Sequence, residues 1–201
     1  MTNHVLLDNV THKDLKVDRV FGQDQGDGVN VARVFPVELG RLQNEYPLFF
    51  YKNADTGHFE TIALLGFANG ENLYLGDSGW DASCIPLSIE RQPFLVGLQE
   101  QDVDGIPTEV PVVHIDLDHP SISQVEGEPV FLPQGGESPY LERITSVLME
   151  IHQGHEISQS YSQLLVGLEL IESLMEGGGK DMGAFTPDID ESKNHRCPLC
   201  A

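Results

Sequence analysis

Glycine and proline punctuate this chain densely from Phe21 onward and divide it into short candidate elements up to Ser138. Three glycines fall in Gly22–Gly28 and mark a turn or loop. Pro36 suits the first position of a short helix over Val37–Tyr46, with Leu39 and Leu42 three apart, and Pro47 stops it. Val29–Phe35, Leu48–Tyr51, Phe59–Leu65 and Asn72–Leu75 then read as strands. The last three are joined by the turns Asn53-Ala-Asp-Thr-Gly57 and Phe67-Ala-Asn-Gly70, so an antiparallel meander is expected at the centre of the core. Gly76-Asp-Ser-Gly-Trp80 is a further turn, followed by Ile85–Ile89, Phe94–Leu98 and Val110–Asp116. Prolines at 86, 93, 107 and 111 confine these segments to strand starts and sheet edges, because proline has no N–H to give a ladder.

The pattern changes at Ser138-Pro139, a polar N-cap followed by proline in the first turn, with Glu142 near the positive end of the dipole. Leu141, Ile144, Leu148, Ile151 and His155 draw one apolar stripe, and after Gly154 a second helical pattern runs Tyr161, Leu164, Leu165, Leu168, Ile171 and Met175. The Gly177-Gly-Gly179 run ends it. The expected fold is α+β: an antiparallel β-rich body, a C-terminal helical pair packed on it, and a flexible tail. Residues 1–176 form a single domain in this reading, and 177–201 form the tail.

Charge narrows the function classes. Thirty-two acidic residues against 11 Lys and Arg leave a formal charge of −21, which repels phosphate backbones and anionic headgroups. Nucleic-acid binding and membrane insertion are therefore not expected. No apolar run reaches the length of a membrane span, and the first residues lack the basic and apolar regions of a secretory signal. Three cysteines are too few for a disulfide scaffold, so a cytoplasmic setting is expected. Between Gln92 and Glu142 there are ten acids and no Lys or Arg, a solvated face or a surface for a basic partner.

Several segments carry the elements of chemistry. His114-Ile-Asp116-Leu-Asp118 on a strand would turn an imidazole and two carboxylates to one face, as a non-haem iron site needs. A third ligand would come from His152, His155 or His195, which makes His114, Asp116 and His155 the candidate metal set and Fe(II) its metal. The competing account is a strand with a polar outer face. Gly76-Asp-Ser78-Gly copies the short setting of a serine-protease nucleophile, although no histidine setting accompanies it and a hairpin turn needs the same residues. Cys197-Pro-Leu-Cys200 has the spacing of half a zinc site or a redox dithiol, with His195 the nearest nitrogen ligand, or is an incidental tail. Asp102-Val-Asp104-Gly105 and Asp24-Gln-Gly-Asp27-Gly28 lack the ligand spacing of a calcium loop and read as turns. His152 and His155 have chelating spacing, but His155 continues the apolar stripe. Trp80, Tyr74, Phe49, Phe50 and Phe67 are pocket residues or simply core. No complete catalytic constellation is present and no cofactor is expected.

Seven segments, taken in order, resemble the bacterial SapC family, named after a surface-layer (S-layer) protein secretion locus. They are Asn9-Val-Thr-His-Lys-Asp-Leu15, Phe35-Pro-Val-Glu-Leu-Gly-Arg-Leu-Gln-Asn-Glu-Tyr-Pro-Leu-Phe-Phe50, Gly79-Trp-Asp81, Ile85-Pro-Leu-Ser-Ile-Glu-Arg-Gln-Pro-Phe94, Val113-His-Ile-Asp116, Glu126-Gly-Glu128 and Tyr140-Leu-Glu142. The resemblance covers about Val5 to Leu168, and the end from Gly177 departs from it as a truncated or altered family C-terminus would. It implies a setting in S-layer protein transport or nutrient uptake and carries over no catalytic residues. The expected function is thus a non-catalytic accessory or binding protein with a protein partner at the acidic 92–142 region. An iron-dependent oxygenase using His114 and Asp116 is the alternative, and a structural or assembly subunit is the third.

Overall fold

The computed structural model describes residues 3–103 and 106–172. The expected tail at 177–201 lies outside the described residues, as do Met175, His195, Cys197 and Cys200.

Eleven short strands form three three-stranded sheets and one hairpin among the described residues, with antiparallel pairing throughout. The strands are β1 (His4–Leu6), β2 (Lys16–Val17), β3 (Val31–Val34), β4 (Leu48–Lys52), β5 (Phe59–Leu64), β6 (Leu75–Gly76), β7 (Gly79–Trp80), β8 (Phe94–Val103), β9 (Ile106–Asp116), β10 (Ile122–Ser123) and β11 (Glu128–Pro129). The helices are α1 (Leu39–Leu42), α2 (Leu87–Glu90) and α3 (Pro139–Gly167). The α+β class and the antiparallel β-rich body stand as expected.

The expected meander forms only as the β4–β5 hairpin, to which β3 rather than Asn72–Leu75 adds the third strand of the sheet. Its strand order is β3-β5-β4, with Ala63 between Ala32 and Leu48 in register. The β4–β5 turn is fixed by Asn53, whose side-chain oxygen accepts from Asp55 N–H and Thr56 N–H at 2.9 and 3.1 Å, and by Gly57 at φ 70°. Ala32, Val34, Leu42, Tyr46, Ala63, Leu65 and Ile89 are buried together over this sheet. A second core gathers Leu15, Val17, Phe94, Ile115, Val130, Phe131, Tyr140, Leu141, Ile144 and Leu148 against the sheet β1-β9-β8. The hydrophobic residues therefore divide into two clusters.

Several expected elements change. Asn72–Leu75 is mostly not strand, because Asn72 turns its buried amide to the Asp27 carbonyl at 2.8 Å and accepts Tyr74 N–H at 3.0 Å. The helix expected over Val37–Tyr46 is a 3-10 turn at Pro36–Glu38 followed by α1, and Ile85–Ile89 becomes α2 after Pro86. Another correction concerns the helical pair. One helix of 29 residues runs through Gly154 to Gly167. Ser138 Oγ accepts Leu141 N–H at 3.1 Å and starts it where expected. Gly154 does not break it, because its missing side chain is a packing requirement: a Cβ there would stand 2.7 Å from the Phe35 Cβ. Leu141, Ile144 and Leu148 are buried as the stripe requires, whereas Leu164 and Leu168 are exposed and Ser162 is buried instead. The helix thus lays its large residues on the β1-β9-β8 core and its small ones over β5.

Candidate functional site

The strands β8 and β9 are the longest of the fold, and their register runs from Phe94 opposite Ile115 to Val103 opposite Ile106. The base of this hairpin is anchored. Phe94 and Ile115 are fully buried, each stabilising by about 1.5–3 kcal/mol, and β1 pairs with β9 from His114 to Asp116. Beyond Leu98 and Pro111 the hairpin leaves the body. Residues 99–102 and 107–109 are exposed on both faces, and the pairs from Gln99–Val110 to Val103–Ile106 span roughly 15 Å at about 3.4 Å per residue. A two-stranded arm results.

Strand alternation sorts the arm's charges. Glu100 lies directly opposite Glu109, and Asp102, two residues on, shares their face. Like charges opposed across a ladder are mutually destabilising. No Lys or Arg lies between Gln92 and Glu142 to offset them. The flanking cations are engaged elsewhere: Arg91 donates to the Phe94 carbonyl at 2.6 Å, and Arg143 pairs with Glu128 at 3.2 Å. The arm accordingly presents a concentrated negative face on a rigid base.

The His114–Asp116 segment lies at that base. His114 is buried beside the β8 strand, with its ring against Gly97, where a Cβ would stand 2.2 Å from Nδ1. Burial, reinforced by the nearby His4, holds the His114 imidazole below its ordinary pKa, and its Nδ1 has no hydrogen-bond partner among the described residues. Asp116 closes the strand end by accepting Asn3 N–H at 2.8 Å and Asp118 N–H at 3.1 Å, and lies 3.8 Å from His4 Nε2. Asp118 does not share their face, because β9 ends at Asp116. His155 is carried by α3, and among the described residues no three His, Cys, Asp or Glu side chains gather as a metal ion requires. The proposed set of His114, Asp116 and His155 is therefore not assembled here. His152 is 3.7 Å from Glu156 on its own helix.

The other candidates resolve into structure. Ser78 sits in the exposed β6–β7 turn, and among the described residues no histidine is hydrogen-bonded to it. Asp27 is fully buried and accepts from the two terminal nitrogens of the Arg19 guanidinium at 2.6 and 3.0 Å and from Gly22 N–H at 3.0 Å, so it braces the Gly22–Gly28 loop. Tyr74 and Trp80 pack with Tyr46 and Phe21, and Trp80 Nε1–H donates to the Tyr46 hydroxyl at 2.8 Å. Burial pushes that Tyr46 hydroxyl up to about 12. Phe50 and Phe67 are exposed, and Phe67 stands on a turn held by Glu71, whose carboxylate accepts Phe67 N–H and Ala68 N–H. A depression lined by Arg33, Glu60, Thr61, Ser158, Tyr161 and Ser162 has room for about one water molecule. Asp102 lies near the end of the arm, and Asp104 and Gly105 lie outside the described residues. Sequence reasoning missed the arm itself and the seat that Gly97 makes for His114. A lone glycine inside the apolar run Phe94–Leu98 was the available signal for the second.

No described helix is long and apolar enough to cross a membrane. No curated protein and no solved structure matches the chain. The model of one family does, over residues 7–176, a span that takes in both cores, the arm and α3. On that match the chain belongs to the SapC family.

Proposed function

We propose that this chain is a non-catalytic accessory protein that holds a basic segment of a protein partner against its acidic arm, in the service of cell-envelope (S-layer) protein transport or nutrient uptake. The observation that carries the reading is the exposed face of Glu100, Asp102 and Glu109 on an anchored hairpin, within a stretch free of Lys and Arg. A cytoplasmic site of action goes with it, since the arm would meet the partner before or during export. Charge placed in this way raises the encounter rate and orients the partner more than it adds affinity.

A fluorescent oligo-lysine peptide is the probe. Binding is measured by anisotropy over a salt series for the wild type, for E100Q/D102N/E109Q, and for D14N/D55N/D77N, which removes as many exposed carboxylates away from the arm. The arm variant is expected to bind about tenfold more weakly at low salt, on the order of 0.5 kcal/mol per carboxylate. The control triple is expected to lose much less. Equal losses in the two triples would reduce the effect to net charge and overturn the assignment to the arm.

A further inference from the structure

The two edges of the arm are not equivalent. Leu7 N–H donates to the Val113 carbonyl at 2.9 Å and Leu117 N–H to the Asn3 carbonyl at 3.0 Å, so the odd-numbered residues of β9 turn their main-chain groups toward β1. Asp116 N–H donates to the Pro93 carbonyl at 3.1 Å, so the even-numbered residues face β8. By the same alternation Pro107, Glu109 and Pro111 turn their main chain away from β8. They lie past the end of β1, and no described strand covers them. Both prolines thus occupy positions whose N–H would otherwise point outward from an uncovered edge, and 107, 109 and 111 are all exposed.

An uncovered edge is a template for another strand, and an identical edge on a second copy is self-complementary about a two-fold axis. Centred on Glu109, antiparallel pairing would set Glu109 opposite its own copy and Pro107 opposite Pro111. Each copy would need three outward N–H donors, at 107, 109 and 111, and proline removes two of them. The remaining pair brings two Glu109 residues side by side. We propose that Pro107 and Pro111 guard the arm against pairing with a second copy of this chain, a role independent of the binding function above.

The test restores the donors. P107T/P111T, with a β-favouring residue at two exposed sites, is compared with the wild type and with P120T, an exposed proline outside the strand, by sedimentation over a wide concentration series. The expected result is an assembly of twice the wild-type mass for P107T/P111T alone. Adding E109C to it should let a short bis-maleimide link the two 109 thiols, identified by peptide mass spectrometry, whereas E109C with both prolines kept should not be linked. If circular dichroism shows that the double variant folds poorly, P107T and P111T are read singly in the same way. Wild-type mass at every concentration, a mass increase without the 109–109 link, or the link forming with both prolines in place would each overturn the proposal.

Discussion

A carboxyl group shut away from water needs donors or a proton, and Glu38 shows the balance between them. It is 1% exposed, accepts Phe35 N–H at 3.0 Å and Leu87 N–H at 2.9 Å, and lies 3.7 Å from the Arg41 guanidinium. Burial raises its pKa more than the two N–H groups and Arg41 lower it, so the net shift is upward from 4.5. A folded pKa above the unfolded one means that the native state holds the proton more tightly. The stabilisation is complete below the unfolded value and is lost as pH rises through the folded one. We therefore expect the urea stability of the wild type minus that of E38Q to fall as pH rises above about 4.5, with a slope of at most about 1.4 kcal/mol per pH unit. A difference that rises instead would reverse the sign assigned to burial. Little of this was legible, since a glutamate after Pro36 reads as an ordinary first-turn acid until Leu87, 49 residues on, is brought over it. The His114 and Asp116 reading was half legible for a related reason: period two sets them on one face, but the strand's end, which removes Asp118, depends on Asn3 pairing 113 residues away.

At the scale of the element, α3 inverts a common assumption. Helix patterns are read by expecting large apolar residues to face the body, which holds for Leu141, Ile144 and Leu148 and fails beyond Gly154. There the helix comes so close to Phe35 that only small residues fit, so Gly154 and Ser162 are buried while Leu164 and Leu168 are exposed. The start was legible because Ser138 and Pro139 act through local geometry. The continuity was not, because a glycine required by packing and a glycine that ends a helix look alike in sequence. G154A separates the two effects. Propensity alone would stabilise the helix by up to about 1 kcal/mol. The contact with the Phe35 Cβ, which belongs to no flexible side-chain end, should outweigh that gain and leave the variant destabilised by about 1–3 kcal/mol in chemical denaturation. A variant more stable than the wild type would mean that the helix can lift from β3 and its following turn without cost.

For the whole molecule the governing fact is two cores and one helix that touches both sides. The α+β class, the antiparallel pairing and the strands β3, β4, β5, β8 and β9 followed from local pattern and turn chemistry, whereas the short strands β1, β2, β6, β7, β10 and β11 did not. The division into sheets did not, since β1 closes on β9 and β3 on β5 only through contacts distant in sequence. Leu141, Ile144 and Leu148 belong to the β1-β9-β8 core, and the same helix packs on β5 and the Pro36–Glu38 turn. Both cores should therefore unfold together as long as α3 is intact. Gln153 is exposed and sits beside Gly154, so Q153P breaks the helix between its two contact regions while removing no buried side chain, at a cost of about 3 kcal/mol or more. Trp80, the sole tryptophan, packs against the β3-β5-β4 core and reports on it alone, whereas far-UV circular dichroism follows α3. In the wild type the two urea transitions should coincide. In Q153P the circular dichroism should fall at lower urea than the Trp80 fluorescence shifts, because the core around Tyr46 and Leu65 keeps its own contacts when the helix is lost. Coincident transitions in both proteins would show that the cores are coupled through the sheets and loops, and that α3 is a passenger on that coupling.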